Sequence, residues 1–187
     1  LMLKTLSENA TYAPSKRSLN WLKLKKDYIK SRLADAIDAQ VVGVKSGVGS
    51  RAGLFGSFLL AVPEHGAGQG GMPLMKTISW VGTGLKKDEL RDFKEKYGHC
   101  TAAGPEEIGV DISDAAAKKV TAWLKDGPIW EVLGYELSES TEHSCGLALR
   151  FPRRIRERED KDVQSATSFE AVWDIFRSQR PRTEQEE

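Results

Sequence analysis

Basic side chains are concentrated in Leu147–Lys161, which reads LALRFPRRIREREDK. This segment holds six cationic and three acidic residues in fifteen positions, although the net charge of the 187-residue chain is only +1. If the segment is an extended strand, Arg154, Arg156 and Arg158 share one face at spacings of about 7 Å. Guanidinium groups bind phosphate oxygens bidentately, so such a row indicates a surface for a polyanion.

A second basic segment could join this surface. Residues 14–30 contain six Lys or Arg and a single Asp, and two such segments can converge in a fold to form one patch. The alternative is a solvent-facing edge strand whose arginines pair with Glu157, Glu159 and Asp160. Composition alone leaves both interpretations open.

The overall composition is that of an ordinary globular protein, with 40% hydrophobic and 29% charged residues. No apolar run approaches the roughly 18 residues of a membrane helix, and the first residues lack the apolar core of a signal peptide. We therefore expect an intracellular protein without a membrane partner. Cys100 and Cys145 are far apart and the three histidines are scattered, so neither a disulfide framework nor a metal site is predicted.

The apolar pattern predicts a mainly β protein. Short β-rich segments bounded by glycines include IDAQVVGVKSG, GSFLLAVPE and PLMKTISWVG, with further strands at PIWEVLGYEL and GLALRFP. Two early strands are predicted at residues 1–4 and 20–25, the second placing Trp21, Lys23 and Lys25 on one face.

Helices are predicted at two main places. KKDELRDFKEKYG carries an apolar stripe of Leu90, Phe93 and Tyr97, and TSFEAVWDIFRSQ begins with Thr167 and Glu170 as a capping box. A further helix is predicted over AAAKKVTAWL. Short strands, glycine turns and basic segments together favour an oligonucleotide-binding (OB) barrel with one inserted helix and a C-terminal helix.

Three segments, in this order, resemble motifs of ATP-dependent DNA ligases. LMLK looks like the end of the fourth motif, SKRSLNWLKLKKDY like the fifth, and LALRFPRRIREREDK like the sixth, with R-F-P-R followed by R-x-D-K. The region between them resembles the body of the ligase OB domain. The resemblance extends over nearly the whole chain, up to Gln179, and the ordered occurrence of three motifs makes it specific.

The resemblance implies a domain organisation and a set of partners. Residues 1–29 correspond to a strand remnant of the nucleotidyltransferase (adenylation) domain, 30–180 to an OB-fold DNA-binding domain, and 181–187 to an acidic tail. The implied partners are nicked double-stranded DNA and the adenylation and DNA-binding domains of the same enzyme, which would use ATP and Mg²⁺. In a eukaryote the expected location is the nucleus.

The resemblance also implies roles for individual cations in nucleotidyl transfer. Arg158 and Lys161 match the residues that orient the pyrophosphate leaving group, and Asp160 is expected to hold them in place. The positions that match lysines beside the nucleotide are Lys4, Lys23 and Lys25. Fixed cations suit this chemistry because each step gathers negative charge around an in-line displacement.

A second set of residues is implied to contact DNA. Arg150 and Phe151 match a pair that enters the minor groove near the nick, where an apolar wedge deforms the duplex. Arg153 completes R-F-P-R. Arg51 lies in a loop that resembles G-K-R-A-G and is expected to contact a phosphate, with a solvent-facing side chain as the alternative. For Phe151, packing in the core beside the leucines of the preceding strand is the alternative.

The chain also departs from the ligase pattern. K-x-D-G, which carries the nucleophilic lysine, does not occur in the sequence, and neither does the catalytic glutamate of the fourth motif. We therefore expect no self-adenylation by this chain alone. The OB domain of a messenger-RNA capping enzyme and a non-catalytic nucleic-acid-binding barrel are alternatives, but R-F-P-R and W-L-K-L-K-K-D-Y favour a DNA ligase.

Overall fold

The computed structural model divides the chain into two compact units, residues 1–31 and 32–187. The predicted acidic tail and Lys25 lie outside the residues that the structure describes. Those residues are 2–8, 10, 14, 20–23, 33, 35–68 and 72–179.

The first unit contains an antiparallel strand pair, β1 (Met2–Lys4) and β2 (Trp21–Lys23). Lys4 lies opposite Trp21 in the register, and its Nζ is 4.7 Å from the centre of the Trp21 ring. Both strands were predicted from the sequence. Strand β1 is exposed along its whole length.

Three long strands form the centre of the second unit. β3 (Ile37–Ser46), β4 (Phe55–Glu64) and β5 (Leu74–Val81) form an antiparallel meander. They coincide with the three segments predicted from β-branched and aromatic residues between glycines. Their side chains supply much of the hydrophobic core.

The remaining strands complete a mainly β barrel, which confirms the predicted fold class. They are β6 (Thr101–Ala102), β7 (Val110–Asp111), β8 (Ala122–Leu124), β9 (Ile129–Leu133), β10 (Glu136–Glu139), β11 (Leu147–Arg150) and β12 (Arg153–Glu157). The main sheet runs β12-β9-β3-β4-β5-β7, β8 pairs with β3 and β6, and β10 pairs with β11. A backbone hydrogen bond of 3.0 Å from the Cys145 amide to the Thr77 carbonyl joins the β10–β11 hairpin to β5.

The two main helices are also confirmed, as α1 (Lys87–Tyr97) and α3 (Phe169–Ser178), with a short α2 (Asp114–Ala117) between them. The helix predicted over AAAKKVTAWL is mostly wrong, because only its first residues fall within α2. Trp123 pairs instead with Gly43 of β3, whose missing side chain lets the indole approach closely. Pairing and burial against the barrel outweigh the helical propensity of that segment. No helix in the described part of the chain is long and apolar enough to cross a membrane.

The predicted cap of α3 is displaced by one residue. Ser168, rather than Thr167, is the N-cap, and its Oγ accepts a hydrogen bond from the Ala171 amide at 3.2 Å. The Thr167 hydroxyl instead accepts from the Asp38 amide at 3.0 Å, and the Thr167 amide donates to the Asp38 carbonyl at 3.0 Å. The chain entering α3 is therefore bonded to β3.

An aromatic cluster centred on Trp130 joins the sheet to α1. Trp130 is fully buried, and its ring centre lies 4.7 Å from that of Phe58 and 5.4 Å from that of Phe93. The Arg154 guanidinium lies 5.1 Å from the Trp130 ring centre, on the β12 side. This cluster sets the position of β9 and, through Arg154, of β12.

His143, in the β10–β11 loop, predicts a dependence of stability on pH. The side chain is only 8% exposed, and burial together with Lys119 and Lys45 lowers its pKa below 6.5, against the opposing effect of Glu142. Between the folded and unfolded pKa values, the unfolded chain binds a proton at His143 that the folded chain does not bind. The free energy of unfolding is therefore highest above the unfolded pKa and falls as the pH drops below it.

We expect the melting temperature to fall between about pH 7.5 and about pH 5.5, and His143→Gln to reduce that fall. Thermal melts followed by circular dichroism at both pH values measure the difference. An equal fall in the variant and the wild type would contradict the assignment to His143.

Candidate functional site

Arg158 and Lys161 converge on one carboxylate at the end of β12. Arg158 Nη1 and Lys161 Nζ donate to the same oxygen, Asp38 Oδ2, at 2.9 and 2.7 Å. Asp38 belongs to β3, and the whole residue is 7% exposed. A buried carboxylate near the start of β3 therefore fixes two cations of the segment that follows β12.

Asp160 holds the same guanidinium from the solvent side. Arg158 Nε and Nη2 donate to the two Asp160 oxygens at 2.8 and 2.7 Å, which is a bidentate pair. The hydrogen bonds to Asp160 raise the pKa of Arg158 well above its ordinary value, and those from Arg158 hold the pKa of Asp160 well below its own. The plane of the guanidinium is thereby fixed.

A shallow cleft of about 350 Å³ lies beside these cations. The C-terminal end of α1 forms one wall, where Tyr97 Oη donates to Glu157 Oε1 at 2.6 Å and Lys96 Nζ donates to the same oxygen at 2.9 Å. Both cations and carboxylates line the cleft. The residues that line it are Gln40, Lys96, Tyr97, Asp126, Gly127, Pro128, Ile129, Glu157, Arg158, Glu159, Lys161, Asp162 and Val163.

The expected row of guanidiniums on β12 is wrong, because a β-bulge interrupts the strand. Arg154 pairs with Val132 and Arg156 with Glu131, so Ile155 is an extra residue between them. The Arg154 side chain is 13% exposed and its Nη1 lies 2.9 Å from Glu89 of α1, whereas Arg156 is 59% exposed and pairs with Glu131. Arg154 therefore supports the fold, since it joins β12 to α1.

The alternative interpretation, a solvent-facing edge strand, named only one of the carboxylates that pair with these arginines. Among the acids it named, Asp160 does pair with an arginine of this segment, whereas the carboxylates that bind Arg154 and Arg156 come from α1 and β9. Most ion pairs of these arginines thus join residues that are far apart in the sequence.

An exposed turn between β11 and β12 presents Arg150 and Phe151. Phe151 is 49% exposed, whereas Leu147 and Leu149 of β11 are buried, so the core-packing alternative for Phe151 is wrong. The Arg150 guanidinium lies 5.5 Å from the Phe151 ring centre, and its Nη1 is 2.9 Å from the buried Glu136. Arg153, the first residue of β12, is also exposed.

Arg51 makes structural contacts with two backbone carbonyls. Its Nη1 donates to the carbonyls of Gly56 at 2.9 Å and Gly82 at 2.7 Å, joining the β3–β4 loop to the segment after β5. The next residue, Thr83, donates its hydroxyl to the Pro152 carbonyl. Arg51 and the Arg150–Phe151 turn are thus linked through the loop that follows β5.

The structure brings the predicted residues together in three places. Arg158 and Lys161 meet at Asp38, and Lys4 and Lys23 lie in the first unit. Of the DNA-contact candidates, Arg150, Phe151 and Arg153 lie at the β11–β12 turn, and Arg51 is linked to it through the loop after β5. Sequence reasoning missed Asp38, which lies more than a hundred positions from its partners. A charged residue inside the apolar strand segment IDAQVV was the available signal, because a buried carboxylate requires partners.

The described residues include no group of three or more His, Cys, Asp or Glu side chains placed to hold a metal ion. The carboxylates nearest to the cationic cluster, Asp38 and Asp160, are both bound by Arg158. They therefore do not form a site that would fit Mg²⁺ with protein ligands alone.

The barrel, with the cations Arg158 and Lys161 beside its wall, places this chain in the class of OB-fold domains. Within that class, residues 51–161 match the family described as the ATP dependent DNA ligase C terminal region. The match covers more than half of the chain, and this protein therefore belongs to that family.

Curated relatives with similar sequences are DNA ligases. DNA ligase 1 of Drosophila melanogaster is 38% identical over 96% of this chain and 24% of its own length. DNA ligase 1 of Dictyostelium discoideum is 35% identical over 96% of this chain and 15% of its own length. The DNA ligase of Sulfurisphaera tokodaii is 30% identical over the whole chain and 31% of its own length. The chain thus spans about a third or less of these relatives.

Solved structures with a similar fold are also ligases. The ligase domain of M. tuberculosis LigD has a TM-score of 0.54 and 25% identity, covering 83% of this chain and 43% of that chain. A mycobacterial DNA ligase D complexed with ATP and MES has a TM-score of 0.51, 23% identity and coverage of 84% and 43%. The similarity to the second structure, at 23% identity, shows a shared fold alone.

Proposed function

We propose that this chain is the OB-fold part of an ATP-dependent DNA ligase, which binds nicked duplex DNA and supplies cations for self-adenylation and nick sealing. The observation that carries the proposal is the convergence of Arg158 and Lys161 at the barrel edge, with Asp38 and Asp160 orienting them. The family match names the enzyme class in which such cations have a use. It gives no support to the capping-enzyme alternative.

The chemistry of ligation explains why two oriented cations are useful. A lysine of the adenylation domain attacks the α-phosphate of ATP and pyrophosphate leaves. AMP is then transferred to the 5′-phosphate at a nick, where the 3′-hydroxyl displaces it. Arg158 and Lys161 stabilise the charge that develops on the departing pyrophosphate, which competes with Asp38 and Asp160 for their N–H donors.

The first unit contributes to the same reaction in this proposal. Residues 1–29 are the end of the adenylation domain, and Lys4, Lys23 and Lys25 bind the nucleotide phosphates. Residues 30–180 form the DNA-binding OB domain. The other domains of the enzyme supply the nucleophilic lysine and further DNA contacts, and the location follows the substrate: intracellular, and nuclear in a eukaryote.

ATP is the substrate of the first step, and Mg²⁺ accompanies it in the full-length enzyme. The described carboxylates at the cationic cluster are neutralised by Arg158 and Lys161 and do not fit a Mg²⁺ site of their own. What this chain provides toward the triphosphate is therefore positive charge.

On the DNA side, the β11–β12 turn is the proposed contact surface. Phe151 projects from the barrel with about half of its surface exposed, and Arg150 lies beside its ring. We assign Phe151 the role of a minor-groove wedge and Arg150 and Arg153 the role of phosphate contacts. For Arg51 a phosphate contact remains a prediction, since its Nη1 already donates to two carbonyls.

The proposal predicts weak, sequence-independent binding of nicked duplex by this chain, with an affinity that falls steeply with salt. Each phosphate contact contributes about −0.9 to the slope of log affinity against log salt concentration, because it releases a counterion. Arg150→Ala and Arg153→Ala should each reduce that slope by about 0.9. Fluorescence anisotropy of a labelled duplex at several salt concentrations measures it.

Arg177→Ala is the matched charge control, since Arg177 is 68% exposed on α3 and pairs with Asp174 within the helix. We expect its slope to equal that of the wild type. Thermal melts check that Arg150→Ala stays folded, because Glu136 loses its ion-pair partner. Failure of the wild type to bind at low salt, or unchanged slopes in both arginine variants, would show that the proposed DNA surface is wrong.

A further inference from the structure

Thr83 contacts the β11–β12 turn twice. Its Oγ1 donates to the Pro152 carbonyl at 2.7 Å, and its own carbonyl accepts from the Arg154 amide at 3.1 Å. The two bonds lie on either side of Arg153. One residue after β5 therefore fixes the C-terminal side of the turn that carries Phe151.

The turn needs such a restraint because Phe151 has an unfavourable backbone conformation. Its φ angle is +52°, and it is the sole non-glycine residue with a positive φ in the described part of the chain. A bulky L-residue rarely adopts this left-handed region, and strained positions persist where surrounding contacts enforce them. On the N-terminal side, the Tyr135 amide donates to the Arg150 carbonyl at 2.8 Å.

The segment that holds Thr83 is itself fixed to the barrel. Arg51 Nη1 bonds the carbonyl of Gly82, the residue before Thr83, and also that of Gly56 at the start of β4. The restraint therefore runs from the barrel through Arg51 and Thr83 to the turn. A side chain displayed on a strained turn keeps its direction only while such restraints persist.

We propose that Thr83 is a positioning residue for nick recognition, which holds Phe151 in the exposed orientation that enters the minor groove. The inference rests on the proposed function, in which Phe151 contacts nicked DNA. Thr83 acts through Phe151. The Thr83 hydroxyl is the group that this role requires, because it donates the hydrogen bond to the Pro152 carbonyl.

Thr83→Val removes the hydroxyl with little change in shape. The measured quantity is the preference for nicked over intact duplex, which is the ratio of the two dissociation constants for one DNA sequence. We expect this ratio to fall to about 1 in Thr83→Val, the value expected of Phe151→Ala, which lacks the wedge. The salt slope should not change, because no charge is removed. Thr83→Ser retains the hydroxyl and should restore the preference.

A control variant separates this role from the loss of any surface hydroxyl. Thr121 is also exposed, and its Oγ1 accepts a hydrogen bond from the Ser46 amide at 3.0 Å, at the end of β3. Thr121→Val should keep the wild-type preference. In the double variant Thr83→Val/Phe151→Ala the preference should equal that of Phe151→Ala alone, because two residues that act as one unit are not additive.

A spectroscopic measurement tests the wedge directly. With 2-aminopurine placed opposite the nick, unstacking raises its fluorescence when the wild type binds, and we expect Thr83→Val to abolish this rise. A wild-type preference and fluorescence rise in Thr83→Val, no rescue by Thr83→Ser, or an equal loss of affinity for intact duplex would overturn the positioning role. If the wild type itself shows no preference, the wedge proposed above is wrong, and the role of Thr83 falls with it.

Discussion

Arg158→Ala should slow self-adenylation by about 10²-fold or more, while sealing of a pre-adenylated nick changes much less. The reason is that pyrophosphate leaves only in the first step, so a cation that stabilises the leaving group affects that step alone. Lys161→Ala should show the same pattern, because Lys161 and Arg158 share the oxygen of Asp38.

The experiment uses a chimera in which this chain replaces the matching segment of the Drosophila melanogaster relative. Labelled ATP reports the covalent adenylate, and a pre-adenylated nicked duplex reports sealing. The chain alone is the blank, since its sequence has no K-x-D-G and should form no adenylate.

Arg156→Ala is the matched control for these variants. Arg156 is a neighbouring arginine of β12 that is 59% exposed and pairs with Glu131 rather than with Asp38. We expect wild-type rates from it. Equal losses of adenylation and sealing in Arg158→Ala would contradict the leaving-group role, and a labelled, denaturation-resistant adenylate on the chain alone would contradict its predicted inactivity.

Trp130→Ala should cost the second unit about 3 to 5 kcal/mol of stability. Trp130 is fully buried and packs against Phe58, Phe93 and the Arg154 guanidinium, so its removal leaves a cavity in the core. For a chain of this size the expected fall in melting temperature is about 6 to 20 °C. Thermal melts and urea titrations measure it.

Phe151→Ala is the matched truncation for that experiment. Because Phe151 is 49% exposed, the lost apolar burial is small, and we expect a change of less than about 1 kcal/mol. A loss as large as that of Trp130→Ala would restore the core-packing interpretation of Phe151. A negligible effect of Trp130→Ala would mean that this ring does not organise β9 and β12.

Local patterns in the sequence determined the elements and the family. Alternating and apolar runs between glycines predicted β3, β4 and β5, and the stripe ending at Tyr97 predicted α1, because these signals depend on residues within one element. The order of three short motifs indicated a ligase and identified Arg158, Asp160 and Lys161. The pairing of Arg158 with Asp160 could be predicted from the sequence, because the two residues are close together in it.

The tertiary structure alone decided which distant groups meet. A single extra residue in β12 moved Arg154 toward Glu89 and left Arg156 exposed, and no local pattern marks where such a bulge forms. Thr83 reaches Pro152 only because β5 ends beside the β11–β12 turn. Asp38 meets Arg158 and Lys161 because the sheet places β9 between β3 and β12, and strand order and register are set by packing of the whole barrel.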